Sequence, residues 1–274
     1  MYLAYNTNGM VHHRLDEALQ LLADFGYRGV ALTPDVPHLD LLRTTERDWE
    51  KVRARLERLR LKCVVETGAR FALDPRRRHW PNLLTRDAEA AERRMDYYRR
   101  SLKLAKALGA GAVSVWSGAP DAGDDPVAAF GRLVKRLRRL LDDAGKAGVE
   151  VCFEPEPGML VDSLDRYREL RRLLKRGELG TTIDVGHLVV TEKGAPEGHL
   201  EEFAPTLRHV HVDDARRGAH EHLCPGEGSV DFAAVFGELR RLGYRGALAL
   251  ELSRDSHRAA EAAAEAYRKL APLI

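Results

Sequence analysis

The chain has 274 residues, of which 44% are hydrophobic and 31% are charged, and its formal net charge is +2. This balance is typical of a globular protein and lacks the one-sided basic excess of a nucleic-acid-binding protein. No run approaches the roughly 18 consecutive apolar residues of a membrane span. We therefore expect neither a nucleic acid nor a membrane among the partners of the chain.

The cysteines and the first residues predict a cytoplasmic location. Cys63, Cys152 and Cys224 are scattered, are odd in number and form no Cys-x-x-Cys pair. A disulfide framework or a cysteine zinc site is therefore not expected, and a reducing compartment fits best. The N-terminal segment lacks the basic region of a signal peptide and passes directly into a strand pattern.

Short β-branched runs alternate with longer amphipathic stretches along the chain. In chain order, strands are predicted at residues 3–6, 29–32, 62–66, 112–116, 149–154, 180–184, 207–212 and 247–252. Helices are predicted at residues 15–25, 46–59, 88–108, 126–147, 164–174, 232–242 and 257–270, with one weak turn at 201–203. Gly109 and Gly111 are typical of a helix end, and Pro126 suits the first turn of a helix.

This alternation predicts a parallel sheet with right-handed crossovers. The strands are near-continuous apolar runs, which indicates that both of their faces are buried. Eight strands in a chain of this length favour a closed barrel over an open sheet. No Gly-x-Gly-x-x-Gly loop follows the first strand, as a dinucleotide-binding fold would require. We predict an α/β fold of the (β/α)8 TIM barrel type, in which residues 1–274 form a single domain.

Polar side chains end four consecutive strands of the predicted barrel, where the active site of such a fold lies. They are Glu154 and Glu156, Asp184 and His187, His209 and His211, and Glu251. One such residue is more often an ion-pair partner or a helix cap, but several acids at one mouth repel each other unless a positive charge is present. We predict one divalent metal ion. The oxygen-rich donors favour Mn²⁺ or Mg²⁺, with Co²⁺ or Zn²⁺ as alternatives.

Four segments resemble the xylose-isomerase-like barrel superfamily and, within it, the sugar phosphate isomerase/epimerase branch. They are residues 153–158 (Phe-Glu-Pro-Glu-Pro-Gly), 183–187 (Ile-Asp-Val-Gly-His), 209–214 (His-Val-His-Val-Asp-Asp) and 250–252 (Leu-Glu-Leu). The resemblance covers almost the whole chain, although its specific motifs lie in the second half. It implies that Glu154, Asp184, His211 and Glu251 bind the metal.

The resemblance also implies a chemistry and a substrate class. Glu154 and Glu251 would exchange a proton on the carbon next to a carbonyl, which the metal polarises. His187 would hydrogen-bond a hydroxyl of a small sugar or sugar derivative. Arg217 matches the position of a substrate-binding arginine, and Arg216 is its rival. Members of this branch often form dimers or tetramers, so a homo-oligomer is expected.

Two residues near the predicted metal site have more than one interpretation. Glu156 is a candidate ligand that joins or replaces Glu154, a substrate contact, or a support for the ligands. Asp214 either orients His211, touches the substrate or has a structural role.

Residues in the first half of the chain are candidate substrate contacts. Glu66 and Trp116 end the third and fourth strands, and Trp116 either packs in the core or forms a floor under a sugar. Arg70 and His79 lie in the long loop 67–85 and are candidates for holding a phosphate or carboxylate.

The predicted activity is that of an isomerase or epimerase. A lyase, such as an inosose or dehydroshikimate dehydratase, begins with the same proton abstraction, so the ligands do not separate the two. A metal-dependent endonuclease with several zinc ions would need more imidazoles on the first four strands, which end in Asn6, Leu32, Glu66 and Trp116. A barrel that binds a metabolite without turnover is the remaining alternative.

Overall fold

The computed structural model describes residues 1–274 and places eight parallel strands in a closed barrel. The strands are β1 (Tyr2–Asn6), β2 (Gly29–Leu32), β3 (Lys62–Glu66), β4 (Val113–Val115), β5 (Val151–Phe153), β6 (Leu179–Asp184), β7 (Leu207–Val212) and β8 (Ala247–Leu250). Each strand pairs with the next, and β8 closes the barrel by pairing with β1, where Leu248 lies opposite Leu3. The predicted TIM barrel is confirmed.

Helices surround the barrel and connect its strands. They are α1 (Leu15–Phe25), α2 (Glu46–Leu59), α3 (Ala88–Leu108), α4 (Pro126–Ala147), α5 (Leu164–Leu174), α6 (Val185–Thr191), α7 (Leu200–Phe203), α8 (Phe232–Arg241) and α9 (Ala259–Leu270). The carboxylates of Asp87 and Asp125 accept hydrogen bonds from the first-turn amides of α3 and α4 and so define where these helices begin. None of the helices is both long and apolar enough to cross a membrane.

The interior of the barrel contains small apolar residues at one end and polar residues at the other. The small residues form a separate buried cluster of Ala4, Ala31, Val64, Ala112, Cys152, Ala247 and Ala249. Side chains two positions apart on a strand face the same side, so Val64 and Glu66 share the interior, as do Cys152 and Glu154. The strand order therefore directs the polar strand ends into one mouth.

Two elements at this mouth differ from the prediction. Helix α6 begins directly after Asp184, which is its N-cap, whereas only a weak turn at 201–203 was expected between the sixth and seventh strands. After β7 the chain forms an antiparallel hairpin from Asp214–Arg216 and Ala219–Leu223, which was not predicted. The second strand of the hairpin, Ala219–Leu223, carries polar residues on both faces. Its sequence therefore lacks the alternation of apolar and polar residues that is typical of a half-buried strand.

Candidate active site

Four predicted ligands lie together at the carboxyl ends of β5 to β8. Glu154, Asp184, His211 and Glu251 each place one donor atom within 4.8 Å of the others. The Nδ1 atom of His211 lies 2.9 Å from Glu154 Oε1 and 3.0 Å from Glu251 Oε2. Asp184 and His211 are paired in register on β6 and β7, so the sheet itself fixes their separation. The geometry brings these four residues together as the sequence predicted.

The charges of this group fit a bound cation. Burial disfavours a charged imidazole, yet the carboxylates of Glu154, Glu66 and Glu251 outweigh burial and raise the pKa of His211 well above its usual value. Asp184 Oδ2 is buried and has no hydrogen-bond partner. Buried carboxylates of this kind require a positive charge or further donors. Three carboxylates and one imidazole are donors that a divalent metal ion accepts.

Glu66 lies on the opposite side of His211 from Glu154 and Glu251. Its Oε1 atom is 3.0 Å from His211 Nε2 and 2.9 Å from His209 Nε2. Burial alone would raise the pKa of Glu66, but the two imidazoles outweigh it and lower this pKa to about 2. Glu66 therefore fixes the orientation of His211, as carboxylates behind ligating histidines do. His209 contacts Glu66, and its ring centroid lies 4.7 Å from that of His211.

His187 reaches the site from α6. The backbone amide of His187 donates to Asp184 Oδ1, so one carboxylate both caps the helix and faces the site. His187 Nδ1 lies 3.6 Å from Glu154 Oε1, and its Nε2 lies 3.8 Å from Asp184 Oδ2. Gly186 is needed here because a Cβ atom at this position would collide with the carboxylate of Asp213. Burial lowers the pKa of His187 to about 4.

Glu156 lies in a second group of polar residues beside the first. Its Oε1 atom is 3.8 Å from His220 Nε2, and it forms a cluster with His187, His220 and His222. Burial raises the pKa of Glu156 well above its usual value. The structure places Glu154, and not Glu156, in the group with Asp184, His211 and Glu251.

The pocket in front of these ligands is also lined by residues of the first half of the chain. Trp116 lines it with His79, and their rings meet edge to face with centroids 5.1 Å apart. Arg70 and Arg78 line the same pocket. The Arg70 guanidinium donates to the carbonyl of Asn8. The loop 67–85 thus brings two cationic side chains to a pocket whose floor is acidic.

Arg217 does not reach the pocket. It lies at the turn of the hairpin, and its exposed guanidinium donates to the carbonyls of Glu192 and Gly194. Arg216 is also exposed and pairs with Glu221. Neither arginine lines the pocket that contains Glu154, His211 and Glu251.

Asp214 supports the loop after the hairpin. Its carboxylate accepts hydrogen bonds from the amides of Gly226, Gly228 and Val230. A Cβ atom at Gly228 would collide with Asp214, so the Gly-x-Gly spacing allows the loop to close on this carboxylate. Of the roles considered for Asp214, the structure shows the structural one.

Sequence reasoning missed three residues of the site. Asn8 donates through Nδ2 to Glu251 Oε1 at 2.6 Å, and Arg78 lines the pocket from the loop. His220 joins the second cluster. The His-x-His spacing of His220 and His222 was the available signal for the third, since alternate residues of a strand share a face.

The comparison with known families fits this fold. Residues 19–272 match the sequence model of the xylose isomerase-like TIM barrel family. The chain therefore belongs to the xylose isomerase-like TIM barrel family. A 3-dehydroshikimate dehydratase from Pseudomonas aeruginosa is 30% identical over 201 residues, which are 70% of this chain and 30% of that protein. The chain spans between 29% and 53% of the length of several curated relatives that it matches.

Solved structures share the fold over nearly the whole chain. The D-allulose 3-epimerase from Methylomonas sp. has a TM-score of 0.79 and 16% identity, and covers 100% of this chain and 98% of its own. The IolI protein, solved with a bound zinc atom, has a TM-score of 0.77 and 18% identity, and covers 100% of this chain and 98% of its own. At these identities the similarity shows the barrel fold.

Proposed function

We propose that this protein is a metal-dependent enzyme that moves a proton at the carbon next to a carbonyl in a small sugar or sugar derivative, and that it acts as an isomerase or epimerase. The observation that carries the proposal is the arrangement of Glu154 and Glu251. Both carboxylates approach the same Nδ1 atom of His211, at 2.9 and 3.0 Å, from two different strands. Both carboxylates also line the pocket, so a substrate bound there would be within reach of each of them.

Proton exchange at carbon needs a base, an acid and a stabiliser of the developing oxyanion. Glu154, Asp184, His211 and Glu251 would hold a divalent ion, which when bound would polarise the carbonyl. One of Glu154 and Glu251 takes the proton from the carbon and becomes a carboxylic acid. The electron pair of the C–H bond moves into the enediolate. The other carboxyl group, which starts the step protonated, delivers its proton to the opposite face of the carbon, inverts the carbon and is left as a carboxylate.

The remaining pocket residues would bind and orient the substrate. His187 and Glu156 offer polar atoms for hydroxyl groups, and Trp116 offers an apolar surface to the carbon face of a sugar ring. Glu66 would act through His211 and not on the substrate. Arg70 would hold a polar or anionic end of the substrate.

A dehydratase is the second candidate. The 30% identity with a 3-dehydroshikimate dehydratase favours it. Elimination of water also starts with removal of a proton next to a carbonyl, so the same two carboxylates serve both reactions. The difference lies in whether a hydroxyl group leaves the neighbouring carbon.

Product analysis separates the two candidates. Purified protein loaded with Mn²⁺ would be incubated in D₂O with a panel of ketohexoses, ketopentoses and 3-dehydroshikimate, and followed by ¹H NMR and ultraviolet absorbance. An epimerase introduces deuterium and a new sugar signal. A dehydratase releases water and converts 3-dehydroshikimate, which is already a conjugated ketone, into an aromatic product with a different ultraviolet spectrum. Binding of a panel compound without exchange or elimination would contradict the catalytic proposal and indicate a metabolite-binding barrel.

A further inference from the structure

A second cavity, of about 620 Å³, lies at the end of the barrel opposite the mouth. It is found where β8, β1, β2 and β3, which are neighbours in the barrel, begin. We call it the basal cavity, and four exposed cationic side chains line it: Arg28, Arg60, Lys62 and Arg245. It shares no lining residue with the pocket of the candidate active site, so the two are separate.

The barrel itself brings these cations together. Arg28 directly precedes β2, Lys62 is the first residue of β3, and Arg245 lies two residues before β8. Parallel strands of a barrel begin at one end, just as they finish at one mouth. The Lys62 amide donates to the carbonyl of Arg28, and the Arg28 amide donates to that of Leu3, both at 3.0 Å. Strand pairing therefore fixes the backbone that carries these side chains.

The four cations of the basal cavity have no anionic partner. No Asp or Glu side chain lines the cavity, and no carboxylate oxygen, including the terminal one of Ile274, lies within 4.0 Å of their nitrogen atoms. At the same end of the barrel, by contrast, Arg208 pairs with Glu150 at 3.0 Å. The whole chain is nearly balanced, with 44 lysines and arginines against 42 acidic residues. A cavity lined by charges of one sign concentrates counter-ions, so this one attracts anions.

Two half-buried tyrosines, Tyr2 and Tyr267, add an aromatic surface to the basal cavity. Tyr2 packs over Gly29, where a Cβ atom would collide with the ring, and Lys62 Nζ lies 4.8 Å from the ring centroid. The ring of Tyr267 meets the buried ring of Tyr27 edge to face, with centroids 5.1 Å apart. Both rings are therefore held in place and offer a surface to the organic part of a ligand.

The number and kind of the cations indicate which anion fits. Guanidinium groups bind phosphate oxygens through paired hydrogen bonds, and a lysine adds a point charge. One phosphate monoester carries a charge of about −1.5 to −2 near neutral pH, so two such groups match four cations. A volume of about 620 Å³ is typical of a site for a small molecule. A concave site of this size favours a small compound over a nucleic acid or a membrane surface.

We infer that the basal cavity binds a small organic compound that carries two or more phosphate groups. Nucleoside polyphosphates and sugar bisphosphates share this chemistry. The inference goes beyond the proposed function and does not depend on it, because the cavity lies at the other end of the barrel and contains none of the proposed metal ligands. A compound bound there would leave the mouth free for the substrate.

Isothermal titration calorimetry of the full chain tests the inference. ATP, fructose 1,6-bisphosphate and inorganic pyrophosphate would be the probes. We expect one molecule of an organic probe per wild-type chain, and about 10²-fold weaker binding by Arg28→Ala/Arg245→Ala, since each charge-assisted contact contributes about tenfold or more. Arg43→Ala/Arg47→Ala is the control of equal charge and should bind as the wild type does, because both side chains are exposed and line neither cavity.

Further arms of the experiment keep the outcomes distinct. Lys62→Gln should bind about 10-fold more weakly and replaces the double variant if that variant does not fold by circular dichroism. Tighter binding of ATP would support a nucleoside polyphosphate, and tighter binding of fructose 1,6-bisphosphate would support a sugar bisphosphate. Pyrophosphate binding as tight as that of either organic probe would overturn the assignment to an organic compound. Absence of saturable binding, wild-type affinity in the folded cavity variants, or binding of phosphatidylserine vesicles in place of the three probes would overturn the inference.

Discussion

Glu66 Oε1 lies 3.0 Å from the Nε2 atom of His211, on the far side of the ring from the two proposed catalytic carboxylates. The contact joins β3 to β7 across the barrel and leaves Nδ1 as the nitrogen that faces the proposed metal site. A ligating histidine that is held in this way keeps one tautomer and one orientation. Glu66 is therefore a positioning residue of the site.

We predict that Glu66→Gln weakens metal binding by about 10-fold to 100-fold, because the amide no longer fixes the proton on His211 Nε2. Competition with a chelating dye measures this affinity. Glu150→Gln is the control, since Glu150 precedes β5 at the other end of the barrel and pairs with Arg208 near the surface. Equal affinities of Glu66→Gln and wild type would contradict the positioning role.

Gly186→Ala should destabilise the protein by about 1–3 kcal/mol, because the added Cβ would have to displace the buried carboxylate of Asp213. Urea denaturation followed by circular dichroism measures this change. Gly131→Ala is the matched control in a helix. A Cβ there meets no neighbouring atom, and alanine should stabilise the protein by about 0.5–1 kcal/mol. A stable Gly186→Ala variant would show that α6 can move away from Asp213.

Arg70→Ala should raise KM for the substrate by about 10-fold and lower kcat less, since Arg70 lines the pocket and is not a member of the proposed metal-binding group. A charge-assisted hydrogen bond to a substrate is worth about 1.5–3 kcal/mol. Arg43→Ala is a suitable control because Arg43 is exposed and lies outside the pocket. If KM stays constant and kcat falls, Arg70 has a role in the chemical step and not in binding.

The three thiols should be unreactive in the folded protein. Burial raises the pKa of Cys63 and of Cys152 to about 12, and that of Cys224 to about 11. A raised pKa keeps a thiol protonated below that value, so at pH 8 the nucleophilic thiolate is scarce. We expect Ellman's reagent to label the native chain slowly at pH 8 and all three cysteines rapidly in guanidinium chloride. Rapid labelling of native protein would show that a cysteine becomes exposed.

The residues that the sequence predicted well are those whose positions follow from the barrel itself. Glu154, Asp184, His211 and Glu251 end four neighbouring strands, and parallel strands bring their carboxyl ends to one mouth. The apolar runs located the strand ends, and the resemblance to the xylose-isomerase-like superfamily then chose Glu154 over Glu156 and His211 over His209. The tautomer-fixing contact of Glu66 could not be predicted, because it crosses the barrel between strands that are not neighbours.

The hairpin after β7 explains why residue spacing did not predict the position of the Arg217 side chain. The position of Arg217 relative to His211 suggested a substrate contact, but a tight turn at this point directs the arginine towards the carbonyls of Glu192 and Gly194. The same turn returns His220 and His222 to the mouth. Side-chain direction after a turn depends on backbone angles that residue spacing does not reveal.

Solvent deuterium exchange tests the central claim, that Glu154 and Glu251 move a proton next to a carbonyl. The wild type, Glu154→Gln and Glu251→Gln would be loaded with Mn²⁺, their metal content measured, and each incubated in D₂O with the substrate found in the panel. We predict that each variant that still holds metal forms the product about 10²-fold to 10⁴-fold more slowly than the wild type. Product formation and deuterium incorporation at the wild-type rate in either metal-loaded variant would contradict the account.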